Sequence, residues 1–477
     1  MTNSMVEIVT PRGRIRGVRR ASGSCAFLGI PYALPPVGEH RFAAPVTHPG
    51  WSGVLDATAY GATPQRKQLA EVTLIPEPSV PGDATLNVNV FTPQPDRGSG
   101  GGLPVLVWIH GGGFVAGSPA SPWYDGAAFN RDGVVTVSVS YRLGFDGFGW
   151  IADAPANRAV LDWLCALEWV RDNISAFGGD PTRVTIAGQS AGGAAVLTLL
   201  GMPRAQHLFH AVTCLSAPSV NITADQAEDF GRMFADRLGV PPTRAGLSTV
   251  VESRVLELQR ELVPVGGQPV GPAVTVRRMV AGRRLAPTVD GTLVKLPTPD
   301  SLRAGCGADK PLVIGMTEDE FTFAFANARA ALANTPPNAL LSAAGTPDDI
   351  AADYVASHPD LDTADLLGRF VTDRLFGKAV AEVATARSGA PTWLYRFSWP
   401  SAAFGQAVHC LDVPFYFDCL DAEGVSAIAG DAPPHALARD VHGAAVAFAV
   451  GRDPGWPMWN GDDGTVRVFD LPSVARP

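Results

Sequence analysis

In the stretch VTIAGQSAGGAAVLTLL, an apolar β-branched run passes into small helix-forming residues, and a serine stands between two glycines at the junction. Gly188-Gln189-Ser190-Ala191-Gly192 fits G-x-S-x-G with a strand before it and a helix after it, the setting in which that pattern supports chemistry. So tight a strand-to-helix turn strains the serine backbone and leaves no space for side chains at the flanking positions. The Ser190 hydroxyl is therefore expected at the carboxyl end of a sheet, beside a helix N-terminus whose dipole favours developing negative charge. These are the properties of a nucleophile that attacks an acyl carbon.

Such an attack creates an oxyanion, and the sequence offers donors for it. His110-Gly111-Gly112-Gly113 follows the apolar run LPVLVWI directly. Glycines let backbone N–H groups approach one oxygen without a Cβ in the way, and the residue after the nucleophile supplies another N–H. Gly112, Gly113 and Ala191 are the expected oxyanion donors.

A serine nucleophile needs a histidine to take its proton and a carboxylate to orient that histidine, in the chain order Ser, Asp/Glu, His for this motif. PLVIGMTEDEF is a short apolar strand followed by Glu318, Asp319 and Glu320, and on local grounds any of the three serves as the acid. Four histidines follow: His358 in a turn, His435 after two prolines, His442 inside an amphipathic helix, and His409 in the loop after the strand TWLYRFSW. A loop after a strand is where a catalytic base is needed, so His409 is the candidate.

These residues require a scaffold of alternating elements. LNVNVFTP, LPVLVWIH, GVVTVSVSYRL, RVTIAG and HAVTCLSA read as strands, several of them continuous apolar runs suited to burial on both faces. Between them, Val160, Leu164, Leu167, Val170 and Ile174 recur at three- and four-residue steps on one helix face, and glycines and a proline in FGGDP stop the helix. The β–α–β–α order predicts an α/β fold with a mostly parallel sheet and helices on both faces. Helical insertions at about 219–310 and 322–390 are expected to roof the site, within a single domain over 1–477.

The bulk properties narrow the partners. The chain has 477 residues, 46% of them apolar, which is enough for a large buried core. A formal charge of −9 argues against nucleic acid and anionic membranes as partners. The basic stretch PRGRIRGVRR alternates its arginines, as on the wet face of a hairpin. No leader pattern is readable in MTNSMVEIVT and no run is long enough to cross a membrane. The six cysteines form no CxxC pair, so the expectation is a cytoplasmic protein with reduced thiols. Serine chemistry of this kind needs no metal and no cofactor, and the oligomeric state is open, with a monomer favoured.

Taken together, these segments resemble the type B carboxylesterase/lipase family, which includes bacterial para-nitrobenzyl esterases and cholinesterases. The likeness runs nearly end to end, through FLGIPYALPPVGEHRF, VWIHGGGFVAG, NISAFGGDPTRVTIAGQSAGG, GMTEDEFTF and HCLDVPFYF. It implies the α/β-hydrolase fold and hydrolysis of a small-molecule carboxylic ester through an acyl-enzyme on Ser190. It singles out Glu320 as the acid, His409 as the base, and Ser216 in CLSAPS as a serine near the acid. It leaves hydrolysis of carbamates or amides as the alternative, and more remotely a non-catalytic adhesion role of the same fold. Three departures are informative. Thr85 stands where secreted relatives carry a disulfide cysteine; Asp83 replaces a glutamate and is expected to pair with Arg41; and no Trp lies between Gln65 and Leu86 to hold a quaternary ammonium by cation–π attraction. Gln189, where many relatives have Glu, also removes a charge beside the nucleophile. Neutral esters are therefore expected over choline-like ones.

Overall fold

The computed structural model describes residues 4–66, 73–95, 102–219, 221–263 and 270–471. In chain order its strands are β1 (Ser4–Thr10), β2 (Gly13–Arg19), β3 (Cys25–Pro31), β4 (Val54–Asp56), β5 (Asn87–Thr92), β6 (Leu103–Ile109), β7 (Val135–Val139), β8 (Gly179–Gln189), β9 (Ala211–Leu215), β10 (Ile222–Thr223), β11 (Thr288–Val289), β12 (Leu312–Thr317), β13 (Thr392–Phe397) and β14 (Arg467–Phe469). Twelve of them form one sheet in the order β1-β2-β3-β5-β7-β6-β8-β9-β12-β13-β14, with β4 on β2. From β7 to β14 every pairing is parallel, whereas the pairings β1–β2, β2–β3, β3–β5 and β5–β7 are antiparallel and the short β4 lies parallel to β2. The mostly parallel sheet of the α/β-hydrolase fold is thus present, with an antiparallel flank.

The strands that read as continuous apolar runs are the buried ones. Every residue of β5 and β7 is buried, as is all of β6 after Leu103. Helices cover them. The helix Arg158–Asn173 buries Val160, Leu164, Leu167 and Val170 as the periodicity required, and Ile174 in the turn beyond it. The hairpin β1–β2 sets Glu7 opposite Arg16, and Glu7 accepts from both Arg14 and Arg16, so the basic alternation is a solvated, paired face.

The chain moves to opposite sides of β6 on leaving it: β7 lies on one flank and β8 on the other. Such a reversal opens a crevice at the carboxyl ends of parallel strands. Register levels those ends, because Ile109 pairs with Gly188 and Gln189 with Leu215. The segment after β6, Ser190 and Ser216 therefore emerge side by side. The insertion between β9 and β12 is helical at Ala224–Leu238, Glu252–Leu262 and Pro272–Val280, and the short parallel pair β10–β11 closes its neck. The segment between β12 and β13 is helical too, and one π-helical turn, Asp373–Gly377, joins its helices Thr363–Thr372 and Lys378–Ala386. No helix of the described residues is long and apolar enough to cross a membrane.

The expected Arg41–Asp83 pair does not form. Arg41 instead directs Nε to Asp146 at 3.2 Å and donates to the Val250 carbonyl, while Asp83 is exposed. Arg41 is largely buried, and a half-buried carboxylate is a less screened partner than one in open solvent.

A buried ion pair secures the chain after β7. Asp162 is fully buried and accepts from the Arg142 backbone N–H, Nε and NH2, at 3.0, 2.9 and 2.7 Å. Arg142 also donates to the Ala43 and Arg158 carbonyls, so its charge is fully solvated by protein. Removing the carboxylate strands a buried guanidinium. Asp162→Asn is expected to lower unfolding free energy by about 3–5 kcal/mol in a denaturant titration. A loss below about 1 kcal/mol would show that the pair does not hold this corner.

Candidate active site

Ser190 is the one residue between β8 and the helix Ala191–Leu200, with φ 56° and ψ −121°. Its N–H donates to the Leu215 carbonyl of β9 at 2.9 Å and its carbonyl accepts from Ala194, so neighbouring elements impose the strained conformation. The flanking glycines are explained by contact. A Cβ on Gly188 would lie 2.3 Å from the Gly192 carbonyl oxygen, and one on Gly192 only 1.9 Å from that of Ile109.

The glycine-rich loop presses against this turn. A Cβ on Gly111 would meet Gln189 Oε1 at 2.8 Å and Ser190 Cβ at 3.1 Å. Gly112 has φ 110°, and a Cβ there would lie 2.2 Å from the Ala116 carbonyl. Gly112 accepts from the Val115 and Ala116 N–H groups, which closes the loop. Among the described residues the N–H groups of Gly112 and Gly113 donate to nothing. Ala191 opens its helix, so its N–H has no intrahelical acceptor. His110 supports the loop from behind: it stacks on Tyr141 with centroids 4.7 Å apart, and its Nδ1–H donates to the Gly111 carbonyl. Burial lowers its pKa to about 4, which keeps it neutral.

The three acids after β12 separate by partner. Glu318 pairs with Arg369 and Arg396; Asp319 pairs with Arg369 and accepts from the Ala407 N–H. Glu320, with no exposed surface, turns inward, where Oε1 accepts from the Thr317 N–H at 3.0 Å and Oε2 from His409 Nδ1. A backbone bond from the His409 N–H to the Glu320 carbonyl, 2.9 Å, ties the two loops together a second time. With Nδ1–H given to Glu320, Nε2 of His409 is an acceptor, and the Gln189 amide Nε2 lies 3.1 Å from it and 3.2 Å from Cys410 Sγ. Burial lowers the His409 pKa, but Cys410 and Glu320 outweigh it and the net direction is well upward. Burial also raises the Cys410 thiol.

Two aromatic rings hold the imidazole that no sequence pattern pointed to. Phe321 stacks on His409 with centroids 5.0 Å apart at 25°, and Phe376 approaches to 5.1 Å. Phe321 directly follows Glu320, which was a readable cue. Phe376 comes from the π-helical turn and carried none.

The remaining candidates sort by their contacts. Among the described residues Ser190 Oγ makes no hydrogen bond, since Gln189 occupies His409 Nε2. Ser216 is fully buried with φ 47°; its N–H donates to Gly315, and its Oγ has no partner. His442 has both ring nitrogens engaged, by the Tyr416 carbonyl and Asp132, while His358 is held by Tyr354 and His435 is exposed. Behind Glu320 lies a second buried acid, Asp412, which accepts from Tyr395 OH at 2.8 Å. Burial and the Glu320 charge raise its pKa to about 7. A cavity of about 580 Å³ reaches Val115 and Ala116 from the side of Arg41, Arg142 and Gln259, but none of Ser190, Glu320 and His409 lines it. The site is therefore identified by its chemistry and not by the size of its void.

A family model described as the carboxylesterase family matches residues 3–455. The chain is 33% identical to the para-nitrobenzyl esterase of Bacillus subtilis (strain 168), over 98% of this chain and 95% of that one. It is 32% identical to the phenmedipham hydrolase of Pseudarthrobacter oxydans, over 94% and 91%. Among solved structures, the Geobacillus stearothermophilus carboxylesterase EST55 matches with a TM-score of 0.82 at 31% identity, over 97% of this chain and 96% of that chain. Identity at this level over nearly the full length carries the activity as well as the fold: the protein is a serine carboxylesterase whose substrate is a small-molecule ester. By sequence match, fold and coverage together, this chain belongs to the carboxylesterase family.

Proposed function

We propose that Ser190 forms the acyl-enzyme, with His409 as its base, Glu320 as the acid that orients His409, and Gly112, Gly113 and Ala191 as the oxyanion donors. The observation that carries this reading is the buried Glu320–His409 hydrogen bond, set beside the one strained serine at the end of β8. His409 Nε2 exchanges the Gln189 amide for the Ser190 hydroxyl and accepts its proton as Oγ attacks the ester carbonyl. Glu320 accepts the Nδ1–H throughout and stabilises the imidazolium. The tetrahedral oxyanion takes up the free N–H groups, which are worth most where the charge develops. His409 then protonates the departing alcohol, activates water, and returns the acid product. Gln189 and Ser216 act from behind, Gln189 through His409 and Cys410. No metal or cofactor enters any step.

The reading extends to the substrate and setting. A neutral Gln189, and a 65–86 segment without Trp, leave a cationic alcohol with no holder, which favours neutral esters, aromatic or short-chain, over choline-like ones. The chain is read as a single domain over 1–477 whose insertions at about 219–310 and 322–390 flank the site, and as a cytoplasmic monomer. All six cysteines being free thiols supports a reducing compartment.

Ser190→Ala is expected to cut kcat on para-nitrophenyl acetate by roughly 10⁶-fold, and an organophosphate is expected to label Ser190 alone. Retention of wild-type turnover, or a label on another serine, would refute the assignment. His409 must be neutral to act as a base, so its raised pKa places the acid limb of kcat/KM above the ordinary imidazole value of about 6.5. Gln189→Glu sets a carboxylate beside Nε2, favours the imidazolium, and is expected to move that limb up by about one pH unit. A limb that stays in place would show that Gln189 does not contact the working base.

A further inference from the structure

Gly113 faces an arginine. A Cβ built on Gly113 would lie 3.8 Å from Arg283 NH1 and 3.9 Å from its Cζ. Arg283 stands in the connection between the helix Pro272–Val280 and β11, within the insertion that follows β9.

This guanidinium differs from those of Arg142, Arg158, Arg369 and Arg387, which are all matched. Arg142 is matched by Asp162, Arg158 by four backbone carbonyls, Arg369 by Glu318 and Asp319, and Arg387 by the Gly307 and Lys310 carbonyls and Thr392. Among the described residues Arg283 makes no ion pair, no hydrogen bond and no contact with a ring face. Burial lowers its pKa, and among the described residues no carboxylate compensates. A partly desolvated cation with five free donors is unfavourable on its own and becomes favourable when an anion fills the fork.

We propose that Arg283 is a specificity-determining residue that binds a carboxylate carried by the ester substrate, on the Gly113 side of the oxyanion loop. The inference rests on the reading that this loop holds the substrate carbonyl. It goes beyond the preference for neutral over choline-like esters: a cation finds no holder at Gln189, whereas an anion finds one at Arg283. The planar guanidinium meets a carboxylate with two parallel hydrogen bonds, which fixes the substrate's orientation as well as its charge. The carboxylate belongs to either the acyl or the alcohol part, and the two are separable by experiment.

The test is the ratio of kcat/KM for a carboxylate-bearing ester to that for its neutral counterpart. The acyl arm compares 4-nitrophenyl hydrogen adipate with 4-nitrophenyl heptanoate; the alcohol arm compares 3-carboxy-4-nitrophenyl acetate with 4-nitrophenyl acetate. In Arg283→Gln the ratio is expected to fall about 10- to 100-fold in one arm, the worth of hydrogen bonds to a charged group. Arg283→Lys is expected to fall between, since it keeps the charge and loses the fork. A ratio within twofold of wild type in both arms overturns the inference. Should the variants fail to fold, the wild-type enzyme decides: adipate is expected to inhibit competitively at concentrations where adipamide does not, and equal inhibition by the two overturns the inference. If Ser190→Ala still hydrolyses both members of a pair, the reading of the site itself falls. If Ser190→Ala is inactive while the ratio is insensitive to Arg283, only the role of Arg283 falls.

Discussion

A carboxylate with no exposed surface is tolerable only where hydrogen bonds replace water, and the one side chain that donates to Glu320 is His409. The Thr317 N–H fixes one carboxylate oxygen and the imidazole the other, so the carboxylate leaves the ring little freedom. Phe321 and Phe376 remove what freedom remains by packing along the imidazole. Arg369 and Arg396 neutralise Glu318 and Asp319 at the surface, so one charge of the acidic triplet is left to act on the base. The parallel strands β9, β12 and β13 bring Ser216, Glu320 and the loop to His409 out at the same end as Ser190.

The opposite wall is a problem of space. Gly188, Gly192, Gly111 and Gly112 each sit where a methyl group would strike backbone or the Gln189 side chain, so the turn and the loop pack without an intervening layer. Gln189 is the joint between the two walls: it lies under the loop, beside His409 Nε2 and against Cys410. Its amide caps the base in the resting site without adding charge. Burial keeps His110 neutral, and Arg283 stands unmatched beyond Gly113.

Much of this was legible in the sequence because it is local. Apolar runs of strand length marked the sheet, and G-x-S-x-G and the triple glycine marked two sharp turns whose geometry admits few residue types. His409 was reached by elimination; of its rivals, His442 lies between Asp132 and Tyr416, His358 against Tyr354, and His435 is exposed. The choice among Glu318, Asp319 and Glu320 was not local. What separates them is their pairing with Arg369 and Arg396, far along the chain, and only the family resemblance singled out Glu320 beforehand. Nor did spacing foretell that Arg41 would turn to Asp146 and not Asp83, or that a π-helical turn would deliver Phe376. Arg283 belongs to no motif and became visible through its lack of partners.

Every proposed catalytic role depends on whether Glu320 orients a working base. The most direct measurement is kcat/KM of Glu320→Gln on para-nitrophenyl acetate, with circular dichroism to show that the variant is folded. The amide keeps the shape but removes the charge that fixes the imidazole tautomer and supports the imidazolium, and a fall of about 10⁴-fold is expected. Activity within tenfold of wild type in a folded Glu320→Gln enzyme would contradict that orienting role.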